Sequence, residues 1–191
     1  MPDEASNNLS DGDRSALLEV ARQAISHELY QYVSLEVDPA AFAPSLNRPG
    51  AAFVTLEIEG RLRGCIGSLE ARRPLVLDVA RNAGAAAFAD PRFPRLGRDE
   101  FERIEIEISI LSASTPLAFI SEEDLISQLR PGTDGLILIE GARRGTFLPS
   151  VWEQISSPAE FLQHLKLKAA LTADYWSDTI EVRRYTTESF P

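Results

Sequence analysis

One heptapeptide, residues 61–67 (Arg-Leu-Arg-Gly-Cys-Ile-Gly), brings a thiol and two guanidinium groups together. If this segment is a β-strand, alternate side chains share a face, which places Arg61 and Arg63 on the same face as Cys65. The rise along the strand then separates Arg63 from Cys65 by about 7 Å. Because nearby positive charge favours the nucleophilic thiolate, this spacing predicts a reactive or substrate-facing thiol in a cleft. The alternative is a small, half-buried side chain in a tightly packed sheet, the commoner role of free cysteine.

Two glycines, Gly64 and Gly67, lie on either side of Cys65. A glycine weakens a strand, so its presence there implies the close approach of another backbone or of a ligand. We therefore take Gly64, Gly67 and Arg63 as candidate ligand-binding residues, with Cys65 as the candidate catalytic residue.

A second charged pair, Asp90 and Arg92, lies in a segment that contains Pro91 and Pro94 and therefore cannot be helical. One interpretation is that Arg92 binds an anion while Asp90 holds the guanidinium in place. The other interpretation is an internal salt bridge that fixes the shape of the loop. Both residues are candidate ligand-binding residues.

Glu107 stands between Ile106 and Ile108 in a run of alternating isoleucines, which predicts a strand with one buried face. If the polar face of this strand meets a second lobe, Glu107 is a candidate catalytic acid or base. If that face meets water, Glu107 is an ordinary exposed strand residue.

Strands and helices that would position these groups can be predicted from the hydrophobic pattern. Residues 54–58 alternate between apolar and polar, which predicts a strand joined to residues 61–67 by a tight turn at residues 59–60. A helix is predicted over residues 74–88. Its run of small residues at 83–87 indicates that another element packs very close to it.

A capping pattern indicates where the folded region begins. We predict a flexible leader over residues 1–11 and a single domain over residues 12–191. Ser10 with Asp13 is typical of a helix cap, and the helix that follows is predicted to end near Ser34.

Hairpins alternate with separate helices along the whole chain. One helix begins with Ser157-Pro158-Ala159-Glu160, a cap followed by proline at the first position and glutamate at the third. This order of elements predicts an α+β fold with mainly antiparallel sheet and packed helices.

Composition limits the possible function classes. The 191 residues include 19 basic and 29 acidic side chains, a net charge of −10 that disfavours nucleic acid and anionic membranes as partners. The single cysteine excludes an intrachain disulfide, and one cysteine with two histidines gives no metal-ligand spacing, so neither a metal nor another cofactor is predicted. The start does not resemble a signal peptide and no apolar run is long enough to span a bilayer, which predicts a soluble cytoplasmic protein.

Six blocks follow one another along the chain, namely LRGCIG at 62–67, DPRF at 90–93, EISILS at 107–112, GLI at 135–137, RGTFLP at 144–149 and FLQHLKLKAAL at 161–171. In this order they resemble the motifs of the AMMECR domain family, also called AmmeMemoRadiSam system protein A. The resemblance covers roughly residues 12–190. It departs at Lys166, where many members have a cysteine, so a mechanism that needs a second thiol fails here.

What the resemblance implies is a fold of two unequal lobes around a cleft, with Cys65 facing that cleft. It also implies association with a Memo-like protein and a radical SAM protein. The motif positions add Arg144 and Lys168 as candidate ligand-binding residues. The alternatives are an arginine that shapes its hairpin loop and a lysine that complements the helix dipole.

Two hypotheses remain for the site. The favoured one is a non-catalytic binding or accessory protein whose cleft, lined by Cys65, holds a peptide segment or a small molecule for partner enzymes. The shortage of acid–base groups favours it, because an acyl-transfer site normally needs an imidazole or an equivalent base. The other is an enzyme in which Cys65 is the nucleophile while Arg63 and Arg92 hold a small anionic substrate.

RNA binding is a third, disfavoured hypothesis. Arg61, Arg63, Arg143 and Arg144 would contact the phosphates in that case. The net charge of −10 and the lack of aromatic residues interleaved with these arginines argue against it.

Overall fold

The computed structural model describes residues 9–191, which form an α+β fold. The α-helices are α1 (Asp11–Gln31), α2 (Leu75–Phe88), α3 (Arg98–Phe101), α4 (Glu122–Gln128) and α5 (Pro158–Lys168). Short 3-10 helices cover Pro39–Ala41 and Pro149–Glu153. The strands are β1 (Pro49–Gly50), β2 (Ala52–Ile58), β3 (Arg61–Gly67), β4 (Arg73–Pro74), β5 (Glu105–Leu111), β6 (Thr115–Pro116), β7 (Gly135–Glu140), β8 (Arg143–Phe147), β9 (Glu181–Tyr185) and β10 (Thr187–Phe190).

The chain forms two compact units of unequal size. Within the described residues, the first comprises 9–111 with Glu188–Pro191, and the second comprises Ser112–Thr187. Both contain a four-stranded sheet, with strand order β10-β5-β2-β3 in one sheet and β6-β9-β7-β8 in the other. Strand β2 runs antiparallel to β3 and β5, and β7 runs antiparallel to β8 and β9, which confirms the predicted fold class.

Alternation along the strands decides which face of the first sheet is apolar. Val54 and Leu56 of β2 and Ile108 of β5 are fully buried in the same core as residues of α1 and α2. The residues between them, such as Thr55 and Glu107, therefore project from the opposite face. Strand β2 is hydrogen-bonded to a neighbour on each side, β5 and β3, so Thr55 lies on an interior strand of this opposite face.

The cap predicted at the start of α1 is confirmed. The Asp13 backbone N–H donates to Ser10 Oγ at 3.1 Å, and the Ser10 N–H donates to Asp13 Oδ2 at 3.0 Å. The helix ends at Gln31, three residues before the predicted Ser34, because Tyr32 adopts a left-handed conformation with φ 61°.

The leader predicted over residues 1–11 needs a correction at its end. Residues 1–8 lie outside the described part of the chain. Leu9 is buried in the core, and Ser10 and Asp11 already belong to the start of α1. The folded region therefore begins by Leu9.

Hairpin β2–β3 contains a bulge that the alternation rule does not anticipate. Glu59 and Gly60 connect the strands with φ values of 54° and 70°, as a tight hairpin turn requires. Leu56 then pairs with Gly64 while Glu57 pairs with Leu62, which leaves Arg63 as an extra, unpaired residue. The bulge interrupts the simple alternation from which a shared face for Arg63 and Cys65 was predicted.

The second unit is organised around α5 packed on its sheet. The Ser157 cap is confirmed, since the Glu160 N–H donates to Ser157 Oγ at 3.5 Å. Phe161 is fully buried and its ring stacks on Trp152 with centroids 3.8 Å apart. Among the described helices of either unit, none combines the length and the apolar character needed to cross a membrane.

Candidate functional site

Cys65 lies near the end of β3, half-buried, on the sheet face that points away from α1 and α2. It is the cross-strand neighbour of Thr55, whose hydroxyl donates a hydrogen bond to Cys65 Sγ at 3.4 Å. Its chain neighbour Gly64 faces the other way, toward α2. The prediction of a partly accessible thiol is therefore compatible with its position on the sheet.

Asp90 connects the loop after α2 to the strand that carries the thiol. The Cys65 backbone N–H donates to Asp90 Oδ2 at 2.9 Å. Asp90 also accepts hydrogen bonds from Arg92, with the backbone N–H and Nε at 3.0 Å from Oδ1 and with Nη2 at 2.7 Å from Oδ2. The hydrogen bond from the Arg92 side chain is the main reason that the pKa of Asp90 lies below its ordinary value, against the effect of burial.

Arg92 is the cation that lies beside Cys65. Its Nη2 donates to the Cys65 carbonyl oxygen at 3.3 Å, while 53% of the side chain stays exposed. The hydrogen bond to Asp90 is the main reason that the pKa of Arg92 is raised, and electrostatic interaction with Cys65 adds to it. Arg92 thus fixes the loop, as the salt-bridge interpretation predicts, and presents a partly exposed edge next to the thiol. Anion binding by Arg92 stays a prediction.

Arg63 has a different role from the one predicted. Its Nε and Nη2 donate to the two carboxylate oxygens of Glu100 at 2.7 and 2.9 Å, and only 10% of the side chain is exposed. This pairing lowers the pKa of Glu100. The Arg63 guanidinium carbon lies 5.8 Å from the centroid of the Phe93 ring, and that of Arg92 lies 5.5 Å from the same ring. Arg63 is therefore a buried structural group rather than a free anion-binding group.

The two glycines of the motif leave space for other parts of the protein. A Cβ on Gly64 would lie 2.1 Å from the Ala86 carbonyl oxygen, so only glycine lets α2 pack against β3 here. A Cβ on Gly67 would lie 2.2 Å from the ring of Phe53. The space beside each glycine is thus filled by a helix backbone or an aromatic ring, which corrects the expectation that a ligand occupies it.

Glu107 lies in the same cross-strand row as Cys65 but not next to it. Glu107 of β5 pairs with Thr55 of β2, and Thr55 pairs with Cys65 of β3. Two strand spacings separate the Cα atoms of Glu107 and Cys65 by about 10 Å. Glu107 is exposed, and at this separation it would act on the sulfur only through an intervening molecule.

Arg144 and Lys168 belong to the second unit. Arg144 is exposed on β8, where it pairs with Ile139 of β7. Lys168 is the last residue of α5, and its Nζ lies 5.0 Å from the centroid of the Phe147 ring. Their roles in ligand binding remain predictions.

Three residues of this site were not predicted. Thr55 contacts the sulfur, Glu100 neutralises Arg63, and Phe93 packs against both guanidinium groups. Phe93 had a usable signal, since it belongs to the DPRF block. No local pattern could have indicated the other two. Thr55 lies opposite Cys65 only because of the bulge, and Glu100 binds Arg63 across 37 positions of sequence.

The site places a partly exposed guanidinium, that of Arg92, beside a half-buried thiol, and no described side chain acts as a base at the sulfur. Thr55 is the only side chain within residues 9–191 that hydrogen-bonds Cys65 Sγ. The imidazole side chains of His27 and His164 form no hydrogen bond to any described residue. In the same part of the chain, no three or more His, Cys, Asp or Glu side chains are grouped so as to hold a metal ion.

Comparison with known proteins gives a consistent relationship over almost the whole chain. The AMMECR1 family model matches residues 18–190. A protein of Methanothermobacter thermautotrophicus is 36% identical over 184 residues, 95% of each chain, and one of Thermotoga maritima is 39% identical over 158 residues, 82% of this chain and 86% of its own. The crystal structure of the uncharacterized protein PH0010 from Pyrococcus horikoshii is similar with a TM-score of 0.83 and 32% identity, covering 91% of this chain and 88% of its own.

Proposed function

Because the chain belongs to the AMMECR1 family, we propose that it is a cytoplasmic binding or accessory protein that acts with Memo-like and radical SAM partners through the surface around Cys65. Its role is to hold a peptide segment or a small molecule rather than to transform it. The partners are proposed from the resemblance of its motifs to the AmmeMemoRadiSam system proteins.

The observation that carries this proposal is that the charged groups near Cys65 are paired with one another. Arg92 is hydrogen-bonded to Asp90, and Arg63 is hydrogen-bonded to Glu100. Within residues 9–191, the hydroxyl of Thr55 is the only side-chain group that hydrogen-bonds the sulfur. Nucleophilic catalysis by cysteine normally relies on an adjacent base or on a strongly electropositive surrounding, and the described residues supply neither at the sulfur.

One feature favours a second candidate function, a cysteine-dependent enzyme acting on a small anionic substrate. Cys65 is half-buried rather than sealed, and Arg92 keeps 53% of its side chain exposed beside it. A substrate anion that contacts this exposed edge of Arg92 would lie close to the thiol. In this alternative Cys65 itself is indispensable.

Two substitutions at one position separate the candidates. Cys65→Ser preserves the size of the side chain and removes the thiol, whereas Cys65→Phe covers the surrounding surface with a larger side chain. The experiment measures co-purification of the full chain with the Memo-like and radical SAM proteins of the source organism, after thermal unfolding has shown that each variant is folded. The binding proposal expects Cys65→Ser to retain the partners and Cys65→Phe to lose them.

The other outcomes contradict the proposal. If the unmodified protein retains neither partner, the accessory role is wrong. If Cys65→Ser loses the partners as completely as Cys65→Phe does, the thiol itself is required, and the proposal that the shape of this surface suffices for binding is wrong. If Cys65→Phe retains them, the surface around Cys65 is not the binding site.

A further inference from the structure

The first unit contains a hollow that shares no residue with the Cys65 site. This α1–α2 groove lies between the second half of α1, the outward face of α2 and the segment that follows α1, and its volume is about 340 Å³. Its floor is apolar and consists of Ala24, Leu35, Val37, Leu77, Ala80 and Phe88. A volume of a few hundred cubic ångströms with an apolar lining is typical of small-molecule sites.

Small residues of α2 create the hollow. Ala80 and Gly84 are one helical turn apart and therefore lie next to each other on the same helix face. Leu77 and Phe88 lie on the same side of the helix at either end of this pair. The helix thus presents two bulky apolar side chains with two small residues between them. The Glu28 carboxylate lies over Gly84, since a Cβ there would be 3.0 Å from Glu28 Oε2.

Three charged residues line the edge of the groove: Glu28, Arg81 and Arg95. Arg95 is already engaged, with Nη2 3.5 Å from Glu28 Oε1 and its guanidinium carbon 4.7 Å from the centroid of the Phe88 ring. Arg81 is exposed, and its side chain forms no hydrogen bond or ion pair with any residue from 9 to 191. The groove therefore carries one uncompensated positive charge although the chain as a whole has a net charge of −10.

We propose that the α1–α2 groove binds an apolar monocarboxylate, a medium-length acyl chain whose carboxylate pairs with Arg81. The acyl chain would cover Leu77 and Ala80, beside Arg81, and displace water from these apolar side chains. A guanidinium is the side chain best matched to a carboxylate, since it can donate two parallel hydrogen bonds. A single negative charge fits better than a phosphate dianion, because only one guanidinium is uncompensated and the Glu28 carboxylate lies close by.

The proposal is tested by titrating the full-length protein with sodium octanoate, and with 1-octanol as the uncharged analogue, by ligand-observed NMR. We expect saturable binding of octanoate that exceeds the binding of octanol. Arg81→Gln should weaken octanoate binding by about fivefold, the scale of one exposed ion pair, and should leave octanol binding unchanged. Arg48→Gln is the matched control, because the Arg48 side chain is also exposed and has no hydrogen-bond or ion-pair partner among the described residues.

A bulky substitution inside the groove tests whether the ligand binds there. Ala85 lines the groove and is partly exposed, so Ala85→Trp should block both octanoate and octanol without emptying the core. Arg81→Gln remains informative if Ala85→Trp does not fold.

Each opposite result overturns the proposal. It is wrong if the unmodified protein does not bind octanoate saturably, if Arg48→Gln weakens binding as much as Arg81→Gln, or if a folded Ala85→Trp binds as before. Displacement of octanoate by peptides with an apolar C-terminal residue, at tenfold lower concentration than octanoate itself, would assign the groove to a peptide instead.

Discussion

The backbone N–H of Cys65 donates a hydrogen bond to the carboxylate of Asp90 at 2.9 Å. The same carboxylate binds the Arg92 side chain through two further hydrogen bonds. One buried acid therefore fixes both the strand that bears the thiol and the guanidinium of Arg92, which donates to the Cys65 carbonyl oxygen. Asp90 determines the local geometry even though it does not touch the sulfur.

Asp90→Asn should destabilise the protein. An asparagine keeps one acceptor for the Cys65 N–H but loses the charge that holds Arg92, and hydrogen bonds to charged groups contribute about 1.5–3 kcal/mol each. We expect the free energy of unfolding in urea to fall by about that amount. Asp99→Asn is the control, since Asp99 is exposed. Equal stability of the two variants would contradict the structural role of Asp90.

The contribution of Asp90 should depend on pH in a defined direction. Its pKa in the folded protein lies below the ordinary value, mainly because of the hydrogen bond from Arg92. A depressed carboxyl pKa stabilises the fold above the unfolded-state pKa of about 3.9, and this stabilisation is lost as the pH falls. The difference in unfolding free energy between the unmodified protein and Asp90→Asn should be constant from pH 8 to about 5 and shrink below about pH 4. A difference that is still undiminished at about pH 3 would disprove this account.

Arg92 should give the thiol a preference for anionic reagents. A unit charge about 5 Å away in water contributes about 1 kcal/mol, or roughly a fivefold change in rate. Arg92→Gln should therefore slow the anionic ethylsulfonate methanethiosulfonate and speed the cationic trimethylammonium reagent, each by about that factor, so that the ratio of their modification rates falls by roughly 20-fold. Mass spectrometry of the quenched reaction measures both rates. Arg61→Gln, an exposed change on the same strand, should leave the ratio nearly unaltered. Equal slowing by both reagents in Arg92→Gln would indicate a steric effect.

Arg63 and Glu100 should be strongly coupled in stability. A double-mutant cycle with Arg63→Met and Glu100→Gln should give a coupling energy of about 1.5–3 kcal/mol, because the pair is bidentate and largely buried. The pair Arg103–Glu59 is the matched control, with the same 2.7 Å contact but with 54% and 76% of the two side chains exposed. That pair should show much weaker coupling. Coupling of similar size in both pairs would mean that Arg63 does not have the buried structural role assigned to it.

The regular elements could be predicted because their signals are local. Ile106, Ile108 and Ile110 alternate with polar residues, and this alone predicts a strand with one buried face. Ser10 and Ser157 cap helices that begin where their patterns indicate. The small residues of α2 also indicated a close neighbour correctly, since Gly64 packs against the carbonyl of Ala86.

The details of the site depend on long-range contacts that no local pattern contains. Counting pairs back from a two-residue turn would place Gly64 opposite Thr55. The bulge at Arg63 shifts the register, so that Cys65 lies there instead and receives the threonine hydroxyl. Glu100 accepts the Arg63 side chain across 37 positions of sequence. The sequence therefore predicts that a thiol lies among arginines but not which arginine remains available.

The single cysteine makes this protein convenient for spectroscopy. Cys65 is the only thiol among the 191 residues and is half-buried rather than sealed. A nitroxide or fluorophore coupled to the unmodified chain will therefore attach at one known atom, beside the loop that Asp90 holds. Because such a label covers this surface as Cys65→Phe would, its line shape or emission can report on unfolding of that loop rather than on partner binding, without any engineered cysteine.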